Sequence, residues 1–475
     1  MPTLSTYEKA GIPSAFVIFP DQQECWKEAA RVVGLPAARY VCESRTIPGH
    51  IDVERVIPEL MDALTRPLTA EEKARGRWET PDKRIIFEGT LEEAEEFYQQ
   101  EEIIPNLQNA SHSLYTDGLP IVVPTEERVA AMLKGTSHKP DELIVYQEDH
   151  RVGDRIFQMG SSGKKGEPVR FMPMRRTATV EKIATIGVMA GCKPEFMPVL
   201  LAMAESGGGC GDGRGGSGYC ISGPIAREIG MNFDVNLLGP GNRANKSMGR
   251  ASDLMWRNLG GEIPSVNNCG VFGGPTGNCF PENAEALPPG WKGLNEECGF
   301  DKNQNVLVRM GASGGRSGSW MPGQYREFQK SGHSGIARRL GVKGIPGPHN
   351  ILEYIRSFWV DGEGGFTFFM LPEIAMHMYE YGFKSKDAIY EYMYKRSFMP
   401  LKEYRLHSVP DVWTNAWKGI ESTSGKHWME LPEDYMVPAC PSPMANCIIV
   451  MGAGEEQLPY TGGASRNAYS IDAWR

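Results

Sequence analysis

Apolar positions along this chain alternate between two spacings, and the switches between them mark out its elements. Ala15–Phe19 reads as a short strand and Gln22–Val33 as a helix, with a charged stretch at Thr69–Gly76. Arg84–Glu88 reads as a strand. Thr90 follows with Glu93 at the capping-box offset, which predicts a helix to about Gln100. Ile121–Val123 reads as a short apolar strand. It leads into a helix capped by Thr125, whose first turn carries Glu126 and Glu127 where the helix dipole favours carboxylates. Val180, Ile183, Ala184 and Gly187 recur at helical spacing after Thr179, so that helix should bury one face and end at Gly191. Pro198 suits the first position of the next helix, which should run from there to about Glu205.

The pattern then breaks. Residues 206–219 hold eight glycines in 14 positions, and no helix or central strand is expected to survive there. A short capped helix follows at Ser222–Gly230. Gly239-Pro240-Gly241-Asn242-Arg243-Ala244-Asn245 enters a long helix reaching Leu259 and closed by Gly260-Gly261. Farther on, Asn305–Arg309 reads as a strand, and Asn350–Phe358, Pro372–Tyr381 and Ser385–Lys395 as helices. Cys447–Gly452 reads as a buried strand running into a glycine turn. The alternation of strand, glycine turn and capped helix predicts an α/β fold, a mixed sheet with helices on both faces, loop-rich with glycine-rich insertions. Three regions are expected: 1–80 as an N-terminal arm or small subdomain, 81–300 as the central α/β region carrying the chemistry, and 301–475 as a C-terminal α/β region.

Composition narrows the class of partner. The 475 residues carry a net charge of −9, which argues against nucleic acid or an anionic membrane surface. No basic stretch precedes an apolar run and no stretch approaches a membrane span, so the expectation is a soluble, cytoplasmic protein. Ten cysteines are too dilute for a disulfide scaffold and are expected reduced. A homo-oligomer is expected.

Candidate chemistry concentrates in the glycine- and cysteine-rich centre. The turn Gly239, Gly241, Asn242, Arg243 and Asn245 exposes backbone N–H groups at a helix start beside a guanidinium, a setting for carboxylate or phosphate. Arg214 and Ser222 are further candidates for holding substrate. Cys192 lies between a helix end and a helix start beside Lys193, where a thiol pKa falls and nucleophilicity rises. Glu181, Lys182, Glu195 and Glu282 are the candidates for moving protons, with Asp212 and Glu285 near the same loops. Cys210 and Cys220, and likewise Cys269 and Cys279, are separated by nine residues, which matches neither a redox dithiol nor a zinc ribbon; a transition metal on these cysteines is the alternative cofactor expectation. His333 and His349 sit in glycine-rich loops as further candidates. The loop 160–166 misses the phosphate-loop spacing and reads as a solvated turn.

These stretches, taken in order, resemble the UGSC-like family, also called UGSC family (seleno)proteins. The likeness runs through Thr116–Val129, Ala178–Ala184, Val188–Glu195, Gly223–Glu228 and Gly239–Asn245, and more weakly through Cys279–Asn283 and Pro372–Leu401. It spans roughly residues 85–475. The resemblance implies thiol or selenol redox chemistry through a Cys- or Sec-Gly-Ser-Cys motif. This chain has no Cys-Gly-Ser-Cys, so it resembles the accompanying module, and its loop 206–220 is richer in glycine than the family's. Three readings follow. One is an enzyme acting on a small anionic metabolite or xenobiotic, a lyase cleaving a carbon–heteroatom bond or a thiol-dependent reductase. The second is a metal-dependent lyase or hydrolase using the Cys, His and Glu loops. The third is a non-catalytic substrate-binding subunit of a complex with a redox partner protein.

Overall fold

A computed structural model describes parts of 7–43, then 52–74, 84–103, 111–149, 163–171, 176–207, 217–262, 277–311, 336–343 apart from 338, 366–407, 420–438 apart from 422, 442–453, 460–462 and 466–475. The protein is α/β, with small mixed sheets. It divides into two compact units: Met1–Arg214 with Arg250–Gly274, and Gly215–Gly249 with Pro275–Arg475. No helix among the described residues is long and apolar enough to cross a membrane.

The first unit opens with β1 (Ala15–Ile18) and β2 (Arg39–Cys42), paired in parallel, and α1 (Val53–Thr65). Arg39 on β2 ties the sheet to that helix by donating to the Ala63 carbonyl at 2.8 Å. Then come α2 (Leu91–Tyr98), β3 (Glu101–Ile103) and β4 (Ser111–Ser113), an antiparallel pair, and α3 (Glu126–Leu133). The Thr90–Glu93 capping box forms as its spacing predicts, and Thr125 caps α3. Two expected strands do not form. Residues 84–88 and 121–123 belong to no ladder among the described residues, and the Val122 N–H donates to the Met189 carbonyl at 3.2 Å. An apolar run fixes a preference for extension, not the presence of a neighbour.

Helices α4 (Val180–Met189) and α5 (Met197–Glu205) form the core of this unit. Thr179 caps α4, and Gly191 takes a φ of +80° beyond its end, as expected of a C-terminal glycine. Every residue of α5 is buried, including Glu205, so this helix is apolar on all sides because all sides are covered. Each of its Leu and Val side chains contributes roughly 1.5–3 kcal/mol by leaving water. Its approach to α4 needs Gly187, where a Cβ would stand 2.7 Å from Met132 and 2.8 Å from Leu200. A three-residue 3₁₀ turn, Pro194–Phe196, precedes α5, so Pro198 is the second helical residue and not the first.

The second unit is layered. A four-stranded mixed sheet has the order β13-β7-β5-β6, with β5 (Ser217–Ser222) parallel to β6 (Asn278–Pro281) and antiparallel to β7 (Val306–Gly311). A three-stranded sheet has β8 (Phe366–Met370) between β11 (Cys447–Val450) and β12 (Tyr460–Gly462), and β13 (Ala468–Ser470) closes the first sheet. Alternation along β8 and β11 decides which layer each side chain enters. Phe368, Met370, Ile448 and Val450 pack on α8 (Pro372–Tyr381) and α9 (Lys386–Arg396), while Phe369, Cys447 and Ile449 face Cys220, Phe280, Val306 and Val308. The pair β9 (Phe398–Pro400) and β10 (Met436–Pro438) is antiparallel, and Leu401–His407 forms α10.

The glycine-rich run does yield a strand. β5 begins at Ser217, inside the segment expected to hold none, and β6 lies where a loop was expected. Asn350–Phe358 lies outside the described residues. The helix entered at Gly239–Asn245 is α6 (Arg243–Met255), and it continues as a π-helical turn, Trp256–Gly260, closed by Gly261 at φ +72°.

Gly249 on α6 tests the packing. A Cβ there would stand 2.3 Å from the Gly277 carbonyl oxygen, which belongs to backbone and cannot rotate away. Alanine improves helix propensity by about 1 kcal/mol, yet overpacking costs about 1–3 kcal/mol. Gly249→Ala should therefore lower stability to urea; a rise would refute the close approach.

Candidate active site

The second unit places a set of ionisable side chains inside its apolar layers. Glu282 follows β6 directly, and its own N–H is tied to the Ile221 carbonyl of β5 at 2.9 Å. Ser222 ends β5, and its hydroxyl donates to Glu282 Oε2 at 2.7 Å. Helix α7 (Leu294–Glu297) starts against the same oxygen: the Leu294 N–H donates to it at 2.7 Å, and the Asn295 N–H donates to Ser222 Oγ at 3.2 Å. Gly223 makes this corner turn. It holds φ +120°, and a Cβ there would meet the Gln304 carbonyl oxygen at 2.6 Å.

Lys386, the first residue of α9 after the cap Ser385, reaches both glutamates. Its Nζ lies 2.9 Å from Glu297 Oε2 and 3.3 Å from Glu282 Oε1. One turn on, Tyr390 donates its hydroxyl to Glu297 Oε1 at 2.9 Å and accepts from the Ile448 N–H of β11 at 2.9 Å. Arg466 completes the set, 3.8 Å from Glu297 Oε1 and 5.2 Å from the Tyr390 ring centre, with its Nη2 on the Asn446 carbonyl at 2.6 Å. The side chains of Lys386, Glu282 and Glu297 are at most 5% exposed. Two carboxylates face two cations, so the network balances its charge within itself. The chain of contacts Ser222–Glu282–Lys386–Glu297–Tyr390 is continuous.

Burial alone would push Lys386 down, but the charges of Glu282 and then Glu297 outweigh it and hold the ammonium protonated. The surrounding thiols move the other way for their charge. Burial, then Glu297, pushes Cys447 up to about 12, and burial, with Cys447 and Glu297 behind it, pushes Cys298 up to about 12. Cys220 rises well above its ordinary value through burial and then Glu282. Tyr390 rises as well, through burial and then Cys447. These are thiols and a phenol held neutral beside a charged lysine.

Compared with known proteins, the chain matches no family profile, no curated protein and no solved structure.

Of the residues singled out in the sequence, the structure joins Ser222 to Glu282. Glu181 lies in the first turn of α4 and pairs with Arg84 at 2.7 Å, while Lys182 beside it is exposed. Glu195 is half exposed and pairs with Lys193 at 3.5 Å. Cys192 is buried between α4 and the 3₁₀ turn, its N–H on the Gly187 carbonyl at 2.8 Å; the helix it precedes is only that three-residue turn. These four belong to the first unit, Ser222 and Glu282 to the second.

Two asparagines hold the turn 239–245 in place. Asn242 accepts from the Asn245 N–H at 3.0 Å and donates to the Gly230 carbonyl at 3.0 Å. Asn245 donates to the carbonyls of Asn232 and Leu237. Gly241 holds φ +126° and Arg243 is exposed; a Cβ on Gly239 would strike the side chain of Asn236. Both asparagine side chains are thereby committed to clamping the backbone. Glu285 pairs with Arg227 at the surface at 2.8 Å. Cys220 and Cys279 lie on the adjacent strands β5 and β6, buried, and none of the described cysteines is in a disulfide. Cys210, Asp212, Arg214, Cys269, His333 and His349 lie outside the described residues. Among the described residues no three His, Cys, Asp or Glu side chains gather as a metal-ligand set.

Lys386, Glu297, Tyr390 and Arg466 are absent from the sequence reading. One signal for Lys386 does exist. Lys386, Ile389, Tyr390 and Met393 recur at i, i+3, i+4 and i+7, so a lysine occupies the apolar stripe of α9, and all four are buried.

Two expectations follow. Native Cys298 and Cys447 should resist iodoacetamide near pH 8. Raising a thiol from 9.0 to about 12 removes its thiolate roughly a thousandfold, tenfold per pKa unit. Peptide mapping after timed alkylation checks this, and labelling as fast as free cysteine would refute it. Stability should also fall as pH rises from about 9 to about 12. In that window an unfolded thiol has lost its proton while the folded one keeps it, so the native state binds more protons and alkali favours unfolding. Lys386 and Tyr390 are raised too and act in the same direction. Urea midpoints across that range measure the slope.

Proposed function

We propose that this chain is an enzyme acting on a small anionic molecule, and that it works by acid–base chemistry of the lyase kind, with the Glu282 network as its proton-handling centre. One observation carries this reading: Glu282, Glu297, Lys386 and Tyr390 are removed from water together and joined by hydrogen bonds. Ionisable groups are costly to bury, and their burial concentrates where charge and protons are used. Ser222 and Tyr390 stand at the two ends of the chain of contacts as hydroxyls able to pass a proton onward.

The thiols favour the lyase over the reductase. A reductase needs a thiolate, and Cys220, Cys298 and Cys447 are all driven toward the neutral thiol. The likeness to the UGSC-like family is compatible with this, since the redox motif named for that family is missing here.

The test is turnover by the full chain on a panel of carboxylates bearing a hydroxyl, amine or thioether leaving group, with release of the unsaturated acid followed by absorbance. Tyr390→Phe keeps every charge and removes one hydroxyl. It should retain the fold and lower kcat by roughly a hundredfold or more. Cys192→Ser should retain the wild-type rate. No turnover of any panel member would sink the proposal, and a rate lost in Cys192→Ser but kept in Tyr390→Phe would transfer the chemistry to the thiol.

A further inference from the structure

The end of α6, in the first unit, is followed by an arginine, Arg257, that has no partner among the described residues. Two side chains there hold the segment 115–120. Arg250 closes a fork on Asp117, with Nε to Oδ2 at 2.9 Å and Nη2 to Oδ1 at 2.8 Å, and adds the carbonyls of Leu119 and Pro120 at 3.1 and 2.8 Å. Asn258 donates to the Tyr115 carbonyl at 3.0 Å. Between them in sequence stands Arg257, on the π-helical turn Trp256–Gly260. A π turn re-aims side chains and is a frequent mark of functional positions.

Arg257 is treated differently from its neighbours. It is half-buried, yet among the described residues its guanidinium makes no hydrogen bond and no ion pair, and its Nε is enclosed without an acceptor. Asp117 and Glu262 are the charges it feels. Asp117 cannot serve it, because Arg250 already occupies both of its oxygens. Burial disfavours the charge on Arg257, and a guanidinium cannot escape by losing its proton at ordinary pH. An unpaired buried donor costs free energy that an arriving acceptor recovers.

We propose that Arg257 receives the carboxylate of a small ligand, held by the two-pronged geometry that a guanidinium offers a planar anion. A singly charged carboxylate suits the place better than a phosphate. The Glu262 and Asp117 carboxylates both act on Arg257, and although Arg250 pairs with Asp117, a dianion meets about twice the repulsion from Glu262 that a monoanion does. This site stands on an observation separate from the Glu282 network and does not depend on that reading.

The experiment titrates the full chain with sodium acetate, sodium benzoate and inorganic phosphate at ionic strength held constant with chloride, reading melting temperature and bound anion by calorimetry. At least one of the two carboxylates should raise the melting temperature beyond chloride. Arg257→Gln should abolish that rise, and Arg257→Lys, which keeps the charge but loses the fork, should weaken binding at least about tenfold. Without anion, Arg257→Gln should melt at or above the wild-type temperature, since it removes an unpaired buried charge. A structural arginine behaves differently: Arg250→Gln, which breaks the fork on Asp117, should melt lower. The proposal falls if neither carboxylate stabilises the protein, or if the rise survives in Arg257→Gln. It also falls if phosphate alone acts, or if Arg257→Gln without anion melts as low as Arg250→Gln.

Discussion

Lys386 sits between Glu282 and Glu297, and the arrangement of the second unit follows from keeping it there. An ammonium with 2% of its side chain exposed survives only with opposite charge in contact. That requirement brings the start of α9 against α7 and against the end of β6. Tyr390, one turn farther along α9, then reaches β11 through the Ile448 N–H. The apolar layers alone would not fix this. Alternating side chains on β8 and β11 repeat every two residues, so a slip of two positions keeps every apolar face apolar. A lysine that must meet two carboxylates, one of which must also meet Ser222 and the Leu294 N–H, has one register only. Buried ion pairs add little net stability over apolar residues of the same size, and selecting one arrangement among near-equal ones is a role they can fill.

Features decided within one turn of chain were legible from the residues. Thr90 with Glu93, Thr125, Thr179 and Ser385 all cap the helices their positions indicate, because a cap depends on residues three apart. Features decided by distant partners were not. The segments 84–88 and 121–123 join no ladder among the described residues, while β5 and β6 form one in spite of a glycine-rich approach, because each supplies the other's hydrogen bonds. Gly218 within β5 is tolerated where Phe280 and Met310 cover it. The ionisable network is harder still, since Lys386 lies 104 positions from Glu282 and 89 from Glu297. Only the lysine's place on an apolar helical stripe betrays it beforehand. Glu282 and Ser222 were legible as chemically able groups, and their company was not.

The described cysteines show how one compositional cue admits a packing role as well as a chemical one. Their density near the centre of the sequence suggests a dithiol or metal site. In the fold, Cys220, Cys279 and Cys447 are strand residues, used as small apolar side chains in the packing of the second unit. For Cys220 and Cys447, what makes them good packing residues, exclusion of water, also raises the pKa and weakens them as nucleophiles. The carboxylates nearby push the same way, since a thiolate beside Glu297 or Glu282 would add a like charge. One environment therefore silences the thiols and holds the lysine charged.

That coupling bears on the chemistry available at the network. A lysine held protonated cannot begin as a base or as the nucleophile of a Schiff base; it can act as an acid or as a fixed positive charge. The groups that can accept a proton beside it are Glu282 and Glu297, and each already holds a hydroxyl hydrogen bond, from Ser222 and from Tyr390. A proton arriving at either hydroxyl can thus be passed to a carboxylate while Lys386 offsets the change in charge. Such a centre suits a reaction that removes a proton at one place and returns one at another, as elimination does. It suits poorly a reaction that must create a thiolate among carboxylates.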